Sequence, residues 1–135
     1  MWITYTPLKI EVPFQDLVQI PPGKKVYRIV PRRSLDPFEE AQKAMAVANG
    51  ERACVFLPGR AFDRTGTRYG HGAGWYDRFL SAVPKDWIRI GFCFEHELKD
   101  DLLERKDWDE PVDFICVVDY FRQTHDFIQT DARDI

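Results

Sequence analysis

The sequence predicts an α/β fold, a mixed or parallel sheet flanked by helices, from three observations. Residues 25–30, 53–57, 88–94 and 112–118 are predominantly apolar runs without strict alternation, the pattern of strands covered on both faces. Segments with helical character fall between these runs, the order of an α/β layer fold. The 135 residues, 44% of them hydrophobic and with ten Phe and four Trp, suit a single core, so one domain over residues 1–135 is expected.

In chain order, a first strand is expected within residues 2–6 and a second over 25–30 (KVYRIV). The first helix spans residues 37–48, with Asp36 as N-cap, Pro37 at the first helical position and Asn49-Gly50 as its end. Strand 53–57 (ACVFL) follows, then a glycine-rich loop, a helix over 74–83 and strand 88–94 (IRIGFCF). A third helix is expected at 97–104 (ELKDDLLE), before strand 112–118. No repeat, low-complexity stretch or linker divides the chain.

The charge balance, 19 basic against 22 acidic residues, argues against a general nucleic-acid binder, which needs a basic excess to neutralise phosphates. No apolar run approaches the ~20 residues that span a membrane, and no secretory signal is legible. Cys54, Cys93 and Cys116 lie within apolar runs and lack metal-ligand spacing, so buried, reduced thiols and a cytoplasmic setting are expected. The neighbouring arginines Arg32 and Arg33 read as a solvated pair after a strand.

The chemistry concentrates in LPGRAFDRTGTRYGHGAGWYDRF, residues 57–79. A strand ends at Leu57, Pro58-Gly59 turns the chain, and Gly70, Gly72 and Gly74 precede a helix beginning near Trp75. Alternate glycines let backbone N–H groups converge, and they join the unpaired amides and positive dipole end of the first helical turn. That is a phosphate cradle built from backbone, and Arg68 adds a cation suited to bidentate phosphate contact. Asp77 opposes a bare phosphate. Either a bridging Mg²⁺ resolves that conflict, or Asp77 simply suits the first turn of a helix. The pattern is neither G-x-G-x-x-G nor a Walker A loop.

The run from Pro58 to Leu80 resembles the signature of 5-formyltetrahydrofolate cyclo-ligases, also called methenyltetrahydrofolate synthetases: P-G-x-A-F-D-x-x-G-x-R-x-G-x-G-x-G-x-Y-D-R-x-L. Pro58, Gly59, Ala61, Phe62, Asp63, Gly66, Arg68, Gly70, Gly72, Gly74, Tyr76, Asp77, Arg78 and Leu80 match it without a gap. Weaker likenesses flank it: EVPFQDLV from Glu11, GKKVYRIVP from Gly23, the strand IGFCF, and WDEPVD, which is similar to the family's H-D-x-P-V-D. The resemblance implies a three-layer domain of the NagB/RpiA/CoA transferase-like type. It also implies conversion of 5-formyltetrahydrofolate to 5,10-methenyltetrahydrofolate with ATP and Mg²⁺.

By matching position, the resemblance implies that Arg68, Tyr69, Gly70, His71, Gly72, Ala73, Gly74, Trp75 and Tyr76 contact the nucleotide. Of these, His71, Gly72, Ala73, Gly74 and Trp75 would also face the folate, with Glu11 on the pterin edge. Arg68 and Tyr76 would be the catalytic pair, and Asp77 and Asp109 would hold Mg²⁺. Family members open with a helix carrying a K-x-x-x-R motif, whereas this sequence begins near the strand leading to Glu11. The alternative expectation is therefore a non-catalytic nucleotide- or folate-binding paralogue, with a homodimer as a candidate assembly.

Overall fold

A computed structural model describes residues 1–30, 35–71 and 74–134. The Arg32–Arg33 pair lies outside the described residues. The elements are β1 (Trp2–Tyr5), β2 (Val26–Ile29), α1 (Pro37–Ala48), β3 (Cys54–Pro58), β4 (Ala61–Asp63), β5 (Arg68–Tyr69), α2 (Trp75–Ala82), β6 (Ile88–Phe94), β7 (Leu98–Lys99), β8 (Phe114–Asp119) and β9 (Thr124–Gln129). Six strands form the main sheet in the order β2-β1-β3-β6-β8-β9, all parallel except the final β8–β9 pair. The expected α/β architecture with a mainly parallel sheet is present.

Three of the apolar runs became the central strands β3, β6 and β8, covered on both faces, whereas the run at 25–30 became β2 at the edge of the sheet, where Val26 and Val30 stay exposed because no strand pairs beyond it. Ile3, Val55, Leu57, Phe92, Cys93, Ile115 and Cys116 are all buried. The chain steps from β1 outward to β2 and then back across β1 to β3. Right-handed crossovers therefore place these two connections on opposite faces of the sheet. One face carries α1 and α2, packed against each other. The other is covered by the β1–β2 connection, whose Phe14 lies 5.3 Å from Phe56 and 6.0 Å from Phe92, centroid to centroid.

The helix α1 begins as its residues dictate. The Asp36 carboxylate accepts the Phe38 N–H at 2.9 Å, and Asn49 ends the helix in the left-handed region at φ 49°. Its buried stripe of Ala41, Ala44 and Ala48 keeps the helix close to the sheet. Buried Glu40 accepts the Tyr27 hydroxyl at 3.1 Å, and burial together with that bond pushes the phenol up to about 12. Among the described residues, no helix is long and apolar enough to cross a membrane.

One expected element is absent. Residues 97–104 do not form a helix: a 3-10 turn at Glu95–Glu97 leads into β7, which pairs with β4 through Phe62↔Leu98 and Asp63↔Lys99. The Leu103 N–H goes to the Asp63 carboxylate at 2.7 Å, so backbone groups that a helix would use internally are claimed by the β4 segment. The pattern there was weak, with two adjacent aspartates in its middle. Strand β9 gave no apolar signal because most of its residues are exposed; pairing with β8 creates it.

The fold sets the site at a topological switch point. The chain leaves β1 and β3 in opposite directions across the sheet, which opens a crevice beyond their carboxyl ends. Glu11 follows β1, and the glycine-rich segment follows β3.

Candidate functional site

The glycine-rich segment starts as a small three-stranded sheet in the order β5-β4-β7. Phe62 of β4 lies directly over Gly91 of β6, where any Cβ would overlap its ring. That close approach docks the small sheet onto the large one. Asp63 then shapes the turn. One carboxylate oxygen accepts the Thr65 N–H at 2.9 Å, the Thr65 hydroxyl at 2.6 Å and the Thr67 N–H at 3.2 Å, while the other holds Leu103. Burial works against this charge, but those bonds hold the Asp63 carboxyl below the usual carboxylate range. Gly66 adopts φ +94° within the turn. Arg105 braces the same turn through Thr67 Oγ1 at 3.0 Å and the Thr65 carbonyl at 2.8 Å.

This turn delivers Arg68 inward, 5% exposed. Its Nη1 donates to the Pro58 carbonyl at 2.9 Å, its Nη2 stands 4.0 Å from Asp77, and its Nε is buried without a partner. Burial disfavours the guanidinium charge; Asp77 leads the groups that favour it. The guanidinium also covers the Tyr76 ring, 5.4 Å from its centroid. The Tyr76 hydroxyl is likewise buried with no partner, and burial raises its phenol well above the ordinary value.

Helix α2 is preceded by Gly74 as its N-cap, left-handed at φ 69°, and no side-chain cap claims its first-turn amides. Asp77 sits in that turn and accepts the Glu110 N–H at 3.0 Å. Burial raises the Asp77 carboxyl, against the opposing effects of that bond and of Arg68. Glu110 is itself held by Arg89 at 3.0 Å and Lys85 at 3.1 Å. Burial would raise the Glu110 carboxyl, yet these cations keep it low.

Asp77 and Asp109 line one cleft of about 590 Å³ that also includes Gly74. The Asp109 carboxylate accepts the Lys106 N–H at 2.8 Å. Among the described residues no group of three or more His, Cys, Asp or Glu side chains could cage a metal. Two carboxylates lining one cleft with the start of α2 are a donor set that suits Mg²⁺, which takes few protein ligands and completes its shell with other oxygens and water.

Across the crevice, Glu11 is 7% exposed; one oxygen accepts the Leu8 N–H at 2.8 Å and the other lies 3.4 Å from His71 Nε2. His71 therefore joins the glycine loop to Glu11. The side chains of two other expected contacts are engaged elsewhere. Trp75 donates its indole N–H to the Leu35 carbonyl at 3.0 Å and stacks on Phe79, and the Tyr69 hydroxyl donates to the Glu104 carbonyl at 2.8 Å. What these two residues offer the loop is backbone. Gly72 and Ala73 lie outside the described residues. The structure thus brings together Arg68, Gly70, Gly74, Tyr76 and Asp77, with Asp109 on one side and His71–Glu11 on the other.

The sequence reasoning assigned no role to Asp63, Glu110 or Arg105. Asp63 had a local signal in the D-x-T-x-T spacing of an Asx-type turn. Glu110 and Arg105 had none, because their partners Arg89, Lys85 and Thr67 lie 21–38 residues away.

Comparison with known proteins gives the chain's family and fold. Residues 16–118 match the model of the 5-formyltetrahydrofolate cyclo-ligase family. The chain is 34% identical over 62 residues to a 5-formyltetrahydrofolate cyclo-ligase of Mycoplasma genitalium, a match covering 46% of this chain and 36% of that protein. It is 28% identical over 115 residues to the enzyme of that name from Mycoplasma pneumoniae, covering 82% and 68% of the two chains. The fold is similar to a solved 5,10-methenyltetrahydrofolate synthetase of Aquifex aeolicus, with a TM-score of 0.58 at 22% identity, over 99% of this chain and 72% of that one.

Proposed function

The chain belongs to the 5-formyltetrahydrofolate cyclo-ligase family, and we propose that it closes 5-formyltetrahydrofolate to 5,10-methenyltetrahydrofolate using ATP and Mg²⁺. The observation that carries this reading is buried Arg68, its Nε unpartnered, beside the uncapped start of α2. A buried charge with an open donor next to free amides is a site waiting for phosphate oxygens.

In this reading Arg68, the Gly70 and Gly74 backbone and the first-turn amides of α2 bind the triphosphate. Asp77 and Asp109 hold Mg²⁺, which when bound neutralises charge on the phosphates. Arg68 meets the charge that develops as the formyl oxygen attacks the γ-phosphorus and ADP departs. Tyr76, stacked beneath the guanidinium, keeps it in place, and its hydroxyl is free to donate toward the transferring group. Ring closure by N10 on the activated formyl carbon then releases phosphate. Glu11 accepts the adjacent N–H donors of the pterin edge, and His71 holds the loop against Glu11. No nucleophilic side chain is needed; the residues position and neutralise. A reducing, cytoplasmic setting fits the free thiols Cys54, Cys93 and Cys116, each pushed up to about 12 chiefly by burial.

The test incubates the purified chain with 5-formyltetrahydrofolate and MgATP and follows methenyl product by absorbance, beside Asp77→Ala. Turnover abolished by that substitution supports the ligase reading. Absence of turnover, with nucleotide binding retained in a calorimetric titration, replaces it with a binding module.

A further inference from the structure

We propose that Tyr120 and Phe121, at the tip of the β8–β9 hairpin, form the aromatic wall that selects the substrate's ring system, an assignment that rests on Glu11 meeting the pterin edge as proposed above. A cleft of about 700 Å³ lies at the carboxyl ends of β6 and β8, with Glu11 in its lining. That volume is typical of small-molecule sites, which pair apolar walls with a few placed polar groups. Pro7 and Leu8, from the segment after β1, form part of the lining together with Phe94, Tyr120 and Phe121.

The polar group is oriented rather than loose. Glu11 is nearly buried, with one oxygen fixed by the Leu8 N–H and the other on the side of His71. Phe94 and Tyr120 are packed as well. Phe94 stacks on His96 with ring planes 5° apart, and Tyr120 meets Phe94 edge-on, each pair at 6.0 Å. Asp119 ties the tip through the Phe121 N–H at 3.1 Å and the Arg122 N–H at 3.2 Å.

Packing does not account for the tip. Phe121 is fully exposed and Tyr120 is 67% exposed, although both residues line the cleft. Neighbouring aromatics on a shaped turn beside a carboxylate suit a flat heterocycle that carries adjacent N–H donors. Its edge reaches Glu11 while its faces meet Tyr120 and Phe121. The wall would discriminate by ring shape, leaving the phosphate site across the crevice untouched.

The experiment measures 5-formyltetrahydrofolate affinity by equilibrium dialysis for wild type, a Tyr120→Ala/Phe121→Ala double variant and Tyr120→Phe. MgATP affinity and thermal unfolding are measured in parallel. The double variant is expected to bind 5-formyltetrahydrofolate about tenfold or more weakly, with MgATP affinity and melting temperature unchanged. Tyr120→Phe keeps the ring and is expected to keep wild-type affinity. Equal folate affinity in the double variant and wild type overturns the inference alone. Wild-type protein that binds neither ligand overturns the ligase reading and this assignment with it.

Discussion

The guanidinium carbon of Arg68 rests 5.4 Å from the centroid of the Tyr76 ring, while Nη2 stands 4.0 Å from the Asp77 carboxylate. The cation is thus held by a ring and by a carboxylate on the second and third residues of the same helix, α2. A lysine ammonium, a single point charge without the guanidinium fork, cannot keep the Pro58 bond, the contact with the Tyr76 ring and the approach to Asp77 at once.

Arg68→Lys is therefore expected to weaken MgATP binding at least tenfold, the scale of one lost charge-assisted bond of about 1.5–3 kcal/mol. Calorimetric titration checks this. Retained affinity in the lysine variant would show that a point charge suffices.

Asp77 gives a pH dependence whose sign follows from its burial. Because its carboxyl is raised, the proton competes with Mg²⁺ at a higher pH than at an ordinary aspartate near ~3.9. Mg²⁺-dependent nucleotide binding should fall on acidification through that raised value, and Asp77→Asn should remove both the Mg²⁺ stimulation and this acid limb. The folding effect has the opposite sense: a raised carboxyl stabilises the fold at low pH and loses that contribution as pH rises through its folded value. Asp77→Asn keeps an oxygen for the Glu110 N–H but takes the counter-charge from beside the buried Arg68 guanidinium, so at neutral pH the loss of Mg²⁺ dependence should come with a lower melting temperature.

Asp63 behaves the other way. Its depressed carboxyl contributes stability that is fully present above the unfolded value near ~3.9 and is lost as pH falls through the lower folded value. Asp63→Asn puts an NH₂ group where only acceptors are wanted, facing the N–H donors of Thr65 and Thr67 or that of Leu103. A loss of about 1–3 kcal/mol at pH 7 is expected, with a shallower decline toward acid. Urea unfolding at several pH values measures both.

Gly91 is required for space rather than for backbone freedom, because a Cβ there enters the Phe62 ring. Gly91→Ala should cost about 1–3 kcal/mol through overpacking. Phe62→Leu in the same chain should recover part of that cost, and a double-mutant cycle by chemical denaturation would read the coupling. Additive losses would place the strain elsewhere.

The helix 37–48 was legible to the residue, because Asp36, Pro37 and Asn49 carry their capping roles locally. The juxtaposition of Arg68, Gly74, Tyr76 and Asp77 was legible for the same reason, since these residues fall within one short run of the chain. Residues 97–104 misled because weak local helicity yielded to Asp63 and β4, which lie about 35–40 residues earlier. Strand β9 and the aromatic tip before it were silent, since an exposed strand carries no apolar period.

By itself the sequence determined the α/β class, the family resemblance, and the glycine-rich run from Arg68 to Asp77 as the candidate site, because each depends on apolar burial or on neighbours in the chain. Tertiary structure alone decided that Glu11 faces His71, that Glu110 meets Asp77, and that Tyr120 and Phe121 stand over the cleft. Those relationships arise where the chain leaves β1 and β3 in opposite directions and where β9 turns back on β8, and strand order is a property of sheet assembly that no local spacing encodes.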